Sequence, residues 1–167
     1  PQKIFGLKFE RMKYVSTRNA DTFYSAPETI IKGIANDGGL FVPSSFPTID
    51  RGFIDGLQEL TYPERVAKVL HLYMDEFSYD ELLTFANKAY SRFDGDPCPV
   101  VKIEDTLFVM ELWHGPTFAF KDMALTMLPH LLVASKKKLG IDEKTLVLVA
   151  TSGDTGKAAL EGFKNVE

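Results

Sequence analysis

Lys121 lies where a strand-like stretch gives way to a helix-like one, which is an unusual setting for a structural lysine. Residues 106–111 are rich in β-branched and aromatic side chains, a composition typical of a strand. Gly115 and Pro116 then interrupt the pattern. From about Phe118 the spacing of apolar residues predicts a helix, with Lys121 in its first turn. Since the helix dipole disfavours a charged lysine there, the neutral amine needed for Schiff-base chemistry is easier to maintain.

A second polar stretch, residues 151–156, follows a nearly continuous apolar run at residues 145–150. The run predicts a strand that is covered on both faces. The small residues of the loop would let backbone N–H groups approach a ligand closely, and Thr151, Ser152 and Thr155 add hydroxyl groups. Because a helix is predicted to begin here, we expect the loop to bind an anion such as a carboxylate or a phosphate.

Lys121 and this loop are expected to lie on the same edge of one sheet. The predicted order of strand, helix, strand and helix is that of a parallel α/β unit, in which ligands bind beyond the carboxyl ends of the strands. Each of the two segments follows such an end. An anion held beside a neutral amine suits the chemistry of an aldehyde cofactor acting on an amino acid.

Each segment also has a simpler interpretation. The lysine on its own is more often a solvated surface cation, and residues 151–156 alone could be a structural turn with Asp154 or Thr155 as the N-cap. A phosphate-binding P-loop fits the spacing poorly. Thr151 stands in place of its first glycine, and Ala158 replaces the Ser or Thr that would bind magnesium.

The first half of the chain predicts a small α+β unit. Residues 13–17 and 40–42 are predicted strands. For the first helix we expect Ile34 to be buried in an apolar stripe and Gly38 with Gly39 to supply the left-handed stop. Three predicted helix starts share a capping signature, in which Ser or Thr is followed three residues later by Glu, at Ser25, Thr61 and Ser78.

A linker at residues 94–99, with two prolines and a glycine, separates this unit from the rest of the chain. We therefore predict an N-terminal domain at residues 12–95 and a partial catalytic domain at residues 96–167. The predicted fold class is α/β. The second domain is predicted to contain strands at 100–103 and 106–111, a helix over 118–139 that is kinked at Pro129, and a strand at 145–150.

The composition argues against several classes of protein. With 19 basic and 23 acidic residues the net charge is −4, which disfavours nucleic acid as a main partner. No apolar run is long enough to span a bilayer, so no membrane partner is expected. The single cysteine, Cys98, cannot form an internal disulfide, and the default location is the cytoplasm. His71, His114 and His130 show no spacing typical of metal ligands, so no metal is expected.

Residues 113–122, with the sequence WHGPTFAFKD, resemble the segment that carries the pyridoxal 5'-phosphate (PLP) lysine in the threonine synthases, which are fold-type II PLP enzymes. Residues 151–156 resemble the substrate-carboxylate loop of that family. Residues 37–43 and the start at Met12 are similar to its N-terminal domain. The resemblance covers most of the chain. It implies a small N-terminal α+β unit followed by the first βαβ part of a PLP-binding catalytic domain.

The resemblance also implies roles for individual residues. Lys121 would form the internal aldimine with PLP and then move protons on the substrate. Asp154, which stands where related enzymes usually carry Asn, would contact the cofactor as well as the substrate. The implied reaction converts O-phospho-L-homoserine and water into L-threonine and phosphate. The residues implied in substrate binding are those of the carboxylate loop: Thr151, Ser152, Gly153, Asp154 and Thr155.

Further expectations concern the extent of the chain and its activity. In the family that it resembles, the cradle for the cofactor phosphate lies downstream of the carboxylate loop. A chain that stops at Glu167 is therefore expected to be an N-terminal portion that neither binds PLP firmly nor turns over substrate. Two other functions stay open. One is a threonine-synthase-like phospho-lyase that releases a keto acid, and the other is a non-catalytic module that keeps the motifs.

Overall fold

The computed structural model describes residues 11–166 and shows helices packed with two small sheets. This mixed architecture confirms the predicted α/β class. None of the helices in this range is long and apolar enough to cross a membrane. The elements are β1 (Tyr14–Ser16), β2 (Asn19–Tyr24), α1 (Ala26–Lys32), β3 (Phe41–Pro43), α2 (Arg51–Asp55), α3 (Tyr62–Tyr73), α4 (Tyr79–Tyr90), β4 (Val100–Glu104), β5 (Leu107–Met110), α5 (Asp122–Leu125), α6 (Leu128–Leu139) and α7 (Asp154–Phe163).

Strand β1 lies between β2 and β3 in the N-terminal sheet, and both pairings are antiparallel. The strands predicted at residues 13–17 and 40–42 are confirmed, whereas β2 has little strand signal because most of its residues are polar or small. The loop before β3 is tied to β1 through Asp37. Its carboxylate accepts the Gly39 N–H at 2.8 Å and the Ser16 hydroxyl at 2.7 Å. These two hydrogen bonds lower the pKa of Asp37.

The three predicted capping signatures form capping boxes at the starts of α1, α3 and α4. In each box the Glu carboxylate accepts a hydrogen bond from the backbone N–H of the Ser or Thr, at 2.7 or 2.8 Å. A cap of this kind typically stabilises a helix by about 1 kcal/mol. The three pairs are Ser25–Glu28, Thr61–Glu64 and Ser78–Glu81.

Helix α1 ends earlier than the sequence pattern predicts. It stops at Lys32, and Gly33, with a φ of 67°, supplies the left-handed residue at its end in place of Gly38 and Gly39. Ile34 lies beyond the helix and is 59% exposed, so the predicted burial of this residue is wrong. A glycine has no Cβ to clash at positive φ, so Gly33 can adopt the conformation that ends α1.

The apolar core lies among helices α1, α3, α4 and α6. Helix α3 packs against α4, and α1 packs against α6. Because α6 follows the linker, one core extends across the predicted domain boundary near residue 95, and that boundary stays a prediction. The buried residues of the core are Ala26, Ala67, Phe77, Leu82, Ala86, Ala89, Tyr90, Phe93, Met127 and Leu131.

The single helix predicted over residues 118–139 is divided into α5 and α6. The break falls at Thr126 and Met127, and no kink within one helix occurs at Pro129. Pro129 is instead the second residue of α6, where its missing N–H costs no intrahelical hydrogen bond. Deeper in a helix its ring would clash with the carbonyl four residues earlier, so the helix restarts just before it.

The predicted strand at residues 145–150 is not formed. Within residues 11–166 no strand pairs with this stretch, and Leu146 and Leu148 are 86% and 88% exposed. A strand needs a neighbour to satisfy its backbone N–H and C=O groups. Strand β5 pairs with β4 as an antiparallel hairpin, so the predicted parallel pair of strands is also absent from the described range.

Hydrogen bonds join the N-terminal helices to the segments that carry the candidate residues. The Tyr90 hydroxyl, at the end of α4, donates to the carbonyl of Met123 in α5 at 2.9 Å. Arg92, just beyond α4, donates to the carbonyl of Glu161 in α7 at 3.0 Å and pairs with its carboxylate. Helices α5 and α7 also pack against each other. The N-terminal helices therefore help to position both segments.

Candidate active site

Lys121 is the last residue before α5, at the end of the loop that follows β5. Residues 115–121 of this loop form bends and turns, and Phe118 has a φ of 61°, which is uncommon for a residue with a side chain. The prediction of a helix from Phe118 onward is therefore wrong for residues 118–121, because a left-handed residue cannot continue a right-handed helix. The helix begins one residue after Lys121.

The loop closes over the buried carboxylate of Asp122, which is 0% exposed. One of its oxygens accepts the Thr117 N–H and the other accepts the Thr117 hydroxyl, both at 2.7 Å. A Cβ on Gly115 would lie 2.5 Å from the Asp122 side chain, so only glycine allows this approach. Hydrogen bonds to a buried charge are among the stronger ones in proteins, and they fix the loop just before Lys121.

Lys121 lines a cavity of about 580 Å³, a volume typical of small-molecule sites. Its nitrogen lies 4.7 Å from the centre of the Phe120 ring. Within residues 11–166 Lys121 forms no ion pair. The cavity wall is mainly apolar and includes Leu112, Phe120, Met123 and Leu125, together with Tyr62, Cys98 and Thr155.

Two other ionisable groups of this wall stay uncharged at neutral pH. Burial, and then the neighbouring Cys98 and Asp96, raise the pKa of Tyr62 to about 12. Burial first, and then Asp96, raise the pKa of the Cys98 thiol. The cavity therefore offers the Lys121 amine a surface with little competing charge.

The second loop is organised by the hydroxyl of Thr151. Its oxygen accepts the N–H of Gly153 and the N–H of Gly156, both at 3.1 Å. A Cβ on Gly156 would lie 3.1 Å from that same oxygen, so the small residue permits the close turn. Gly153 has a φ of 144° and directly precedes α7. The hydrogen bonds of Thr151 thus hold the turn that leads into α7.

The two loops meet through Lys157, one turn into α7. Its ammonium group donates a hydrogen bond to the carbonyl of Thr117 at 2.8 Å and lies 6.0 Å from the centre of the Phe118 ring. A second cavity, of about 510 Å³, lies at this junction. Its wall includes Pro116 and Thr117 from the first loop and Thr151, Gly153, Gly156 and Lys157 from the second.

The predicted site residues are distributed over this junction. Lys121 and Thr155 line the first cavity, and Thr151 and Gly153 line the second. Ser152 and Asp154 are exposed at the start of α7, outside the walls of these two cavities. Packing of α5 against α7 brings the segments together, in place of the neighbouring parallel strands that the sequence predicts.

The structural roles of some residues at the junction could not be predicted from the sequence. Asp122 is an ordinary helix-start residue by type, and its burial depends on the fold of the preceding loop. Lys157 fits the end of a P-loop pattern, yet the structure uses it to hold Thr117. The Nε2 atom of His114 lies 2.7 Å from the Glu111 carboxylate, a contact between two residues at the start of the loop.

Comparison with known proteins shows similarity to threonine synthases. A family model described as "Threonine synthase N terminus" matches residues 13–90. Threonine synthase of Schizosaccharomyces pombe is 40% identical over 163 residues, which cover 92% of this chain and 32% of that protein. The crystal structure of PLP-bound threonine synthase from Brucella melitensis matches with a TM-score of 0.86 at 35% identity, over 93% of this chain and 34% of that one.

Over residues 13–90 the chain matches the N-terminal region of the threonine synthases, and it is similar to these enzymes over most of its own length. Threonine synthase-like 2 of Homo sapiens is also similar, at 36% identity over 162 residues, covering 93% of this chain and 33% of that protein. The chain thus spans about a third of the length of the threonine synthases that it matches. Because the family model ends at residue 90, the likeness of the Lys121 region rests on the longer matches and on the solved structure.

Proposed function

We propose that this chain is part of a PLP-dependent threonine synthase, a lyase that converts O-phospho-L-homoserine and water into L-threonine and phosphate. The observation that carries the proposal is the cavity that Lys121 and Thr155 both line. Thr151 and Gly153 line the second cavity. The threonine synthase relatives support the reaction, and the solved structure from Brucella melitensis is named as PLP-bound.

The residues of the chain fit PLP as a cofactor. A primary amine at the wall of a mainly apolar cavity of about 580 Å³ suits a flat ring that carries an aldehyde. The Phe120 ring beside the amine adds a flat apolar surface. When bound, PLP supplies the aldehyde that captures an amine and a ring that withdraws electrons from the substrate.

Lys121 is proposed to hold the cofactor and to move protons at the substrate carbon atoms Cα and Cβ. Its amine makes no ion pair within the described residues, so no carboxylate there competes with a ligand for it. The side chain is half-buried and lies against Phe120. Its conformational freedom is therefore limited, as a group that transfers protons to defined atoms requires.

Residues 151–155 are proposed to bind the substrate carboxylate. The oxygen of the Thr151 hydroxyl already accepts two backbone N–H groups, which leaves its proton to donate to a ligand. Ser152 is exposed and can donate its hydroxyl in the same way. Asp154, at the start of α7, is proposed to contact the cofactor, and Thr155 faces the cavity of Lys121.

The decisive experiment measures phosphate and threonine released from O-phospho-L-homoserine by the complete protein with added PLP. Lys121→Ala should abolish both products, and borohydride treatment of the unchanged protein should fix the cofactor to the peptide that contains Lys121. Lys164→Met removes a solvent-exposed cation near the end of α7 and serves as the control, with activity retained. Full threonine production by Lys121→Ala would refute the proposed role, and would favour a non-catalytic module that keeps the motifs.

A second candidate reaction stays open, since a threonine synthase-like protein, threonine synthase-like 2 of Homo sapiens, is also similar to the chain. It is the phospho-lyase reaction, in which O-phospho-L-homoserine and water yield phosphate, ammonia and a keto acid. Both reactions use the same lysine and carboxylate loop. The product decides between them, since threonine accumulates in one case and equal amounts of ammonia and keto acid in the other.

We also propose that residues 1–167 alone neither bind PLP firmly nor turn over substrate. The chain spans about a third of its relatives, and Leu146 and Leu148 are almost fully exposed beside the candidate loop. Stable cofactor absorbance from this polypeptide alone, with one PLP fixed per chain by borohydride, would contradict this. For location we propose the cytoplasm, in agreement with a chain whose single cysteine forms no internal disulfide.

A further inference from the structure

Thr117 is held at every polar atom by charged groups from two different helices. Its N–H and its hydroxyl both donate to the buried carboxylate of Asp122, at the start of α5. Its carbonyl accepts from the ammonium group of Lys157, in α7, at 2.8 Å. Thr117 lies in the loop of residues 111–121 that ends at Lys121, here called the lysine loop. It therefore connects an anion on the Lys121 side to a cation on the side of residues 151–156, the carboxylate loop.

The same ammonium group faces a strained position of the lysine loop. Phe118 has a left-handed backbone with a φ of 61°, a conformation that is unfavourable for a residue with a side chain. Lys157 lies 6.0 Å from the centre of the Phe118 ring, at the limit of a cation–π contact. Lys157 thus contacts two consecutive residues of the loop, and these contacts help to offset the cost of that backbone.

We propose that Lys157 and Asp122 are positioning residues, which act through Thr117 to hold the Lys121 loop against the carboxylate loop. The proposal rests on the proposed function for its effect on catalysis. Lys121 lies four residues after Thr117 and one before Asp122, so movement of Thr117 changes the place of the amine. Because Lys157 lies in the helix that follows residues 151–153, the same contact sets the separation between amine and carboxylate site.

Lys157→Met tests the contact without disturbing the core, since Lys157 is exposed and methionine keeps the apolar part of its side chain. Lys157→Arg restores a cation that can donate to the Thr117 carbonyl. Lys164→Met is the matched control, because it removes a lysine just beyond the same helix without touching the lysine loop. Asp122→Asn is less suitable, because a change at a fully buried carboxylate endangers folding.

The first measurement is the rate of chymotrypsin cleavage after Phe118 and Phe120 in the complete protein. Both rings are exposed, at 74% and 58%, so cleavage reports on the opening of the loop rather than on access to the side chains. Lys157→Met should raise the rate about three- to tenfold, as expected for the net contribution of one hydrogen bond from an exposed side chain. Lys157→Arg should restore the slow rate, and Lys164→Met should leave it unchanged.

The second measurement separates positioning from a general loss of structure. Lys157→Met should lower kcat about tenfold or more, with KM changed much less, because a small displacement of a reacting group slows the chemical step. Lys157→Arg should recover most of kcat. Equal cleavage rates in Lys157→Met and the unchanged protein, or a kcat loss that Arg does not restore, would overturn the proposal. If the unchanged protein releases no phosphate from O-phospho-L-homoserine, the proposed function fails instead, and the cleavage rates alone still decide whether Lys157 holds the loop.

Discussion

A Cβ on Gly162 would lie 2.1 Å from the carbonyl oxygen of Leu125, so helices α7 and α5 meet backbone against backbone. Helix α5 directly follows Lys121, and α7 directly follows the loop that begins at Thr151. This close approach therefore sets the distance between the two candidate halves of the site. No side chain could be accommodated at residue 162 without moving one of the helices.

Gly162→Ala is expected to destabilise the protein and to disturb the candidate site. The added methyl group must push α7 away from α5, and overpacking of this kind typically costs about 1–3 kcal/mol. Chemical unfolding followed by circular dichroism measures the loss. The same displacement should slow the borohydride fixation of PLP to Lys121.

Gly52→Ala provides the control for that change. It lies in α2, where a Cβ would approach only the Asp50 side chain, at 3.4 Å. Alanine is also the better helix former, so stability should stay the same or rise slightly. If Gly162→Ala proves as stable as Gly52→Ala, the backbone contact between α5 and α7 does not determine the packing.

Much of the N-terminal region is predictable because its signals are local. The capping boxes at Ser25, Thr61 and Ser78 depend on residues three apart, and all three are formed. The association of Lys121 with the second loop is likewise predicted from the sequence. The physical cause differs, however, since helix packing and not a pair of parallel strands brings them together.

The remaining differences arise from contacts between distant parts of the chain. The apolar run at residues 145–150 has the composition of a strand, but it has no partner strand within residues 11–166. The burial of Asp122 also cannot be predicted from composition. It depends on the left-handed turn at Phe118 and on the close approach of Gly115 to the Asp122 side chain. Only the folded loop reveals these relationships.

In the complete protein, PLP is expected to protect Cys98 from alkylation by iodoacetamide. Cys98 and Lys121 line the same cavity, so a ligand bound to the lysine would cover the thiol. Mass spectrometry of the Cys98 peptide measures the rate with and without PLP, and inorganic phosphate at the same concentration is the control. Equal rates in all three samples would place the PLP site elsewhere.

The same reaction should be slow at neutral pH and should accelerate well into the alkaline range. The thiolate is the reactive form of cysteine. Burial, and then Asp96, raise the pKa of Cys98 above its ordinary value of 9.0. The rate without PLP should therefore still be rising at pH 9, whereas a rate that levels off below pH 8 would show that the thiol is not shielded.

His130 is expected to make stability depend on pH. Burial first, and then Lys88 and Arg92, lower its pKa below the ordinary value of 6.5. The unfolded chain therefore binds the proton of His130 more readily than the folded chain does. The contribution of neutral His130 to the free energy of unfolding is fully present above pH 6.5, and it is lost as the pH falls toward the lowered folded-state pKa. His130→Phe keeps a flat ring against Phe85 and should flatten this dependence, measured by urea unfolding at several pH values. An unchanged pH profile in the variant would assign the dependence to other groups.

Tyr90→Phe is expected to loosen the attachment of the candidate site to the N-terminal helices. The Tyr90 hydroxyl donates to the Met123 carbonyl at 2.9 Å, and burial of this side chain raises its pKa. Its removal should lower the free energy of unfolding by about 0.5–1.5 kcal/mol, the usual net value of one hydrogen bond. Because Met123 lines the Lys121 cavity, the apparent affinity for PLP should weaken as well.

Tyr24→Phe is the control, since the Tyr24 hydroxyl forms no hydrogen bond within residues 11–166 and its ring packs on Phe41, far along the chain from the site. Equal stability and PLP affinity in the two variants would mean that α4 does not hold α5 through this contact.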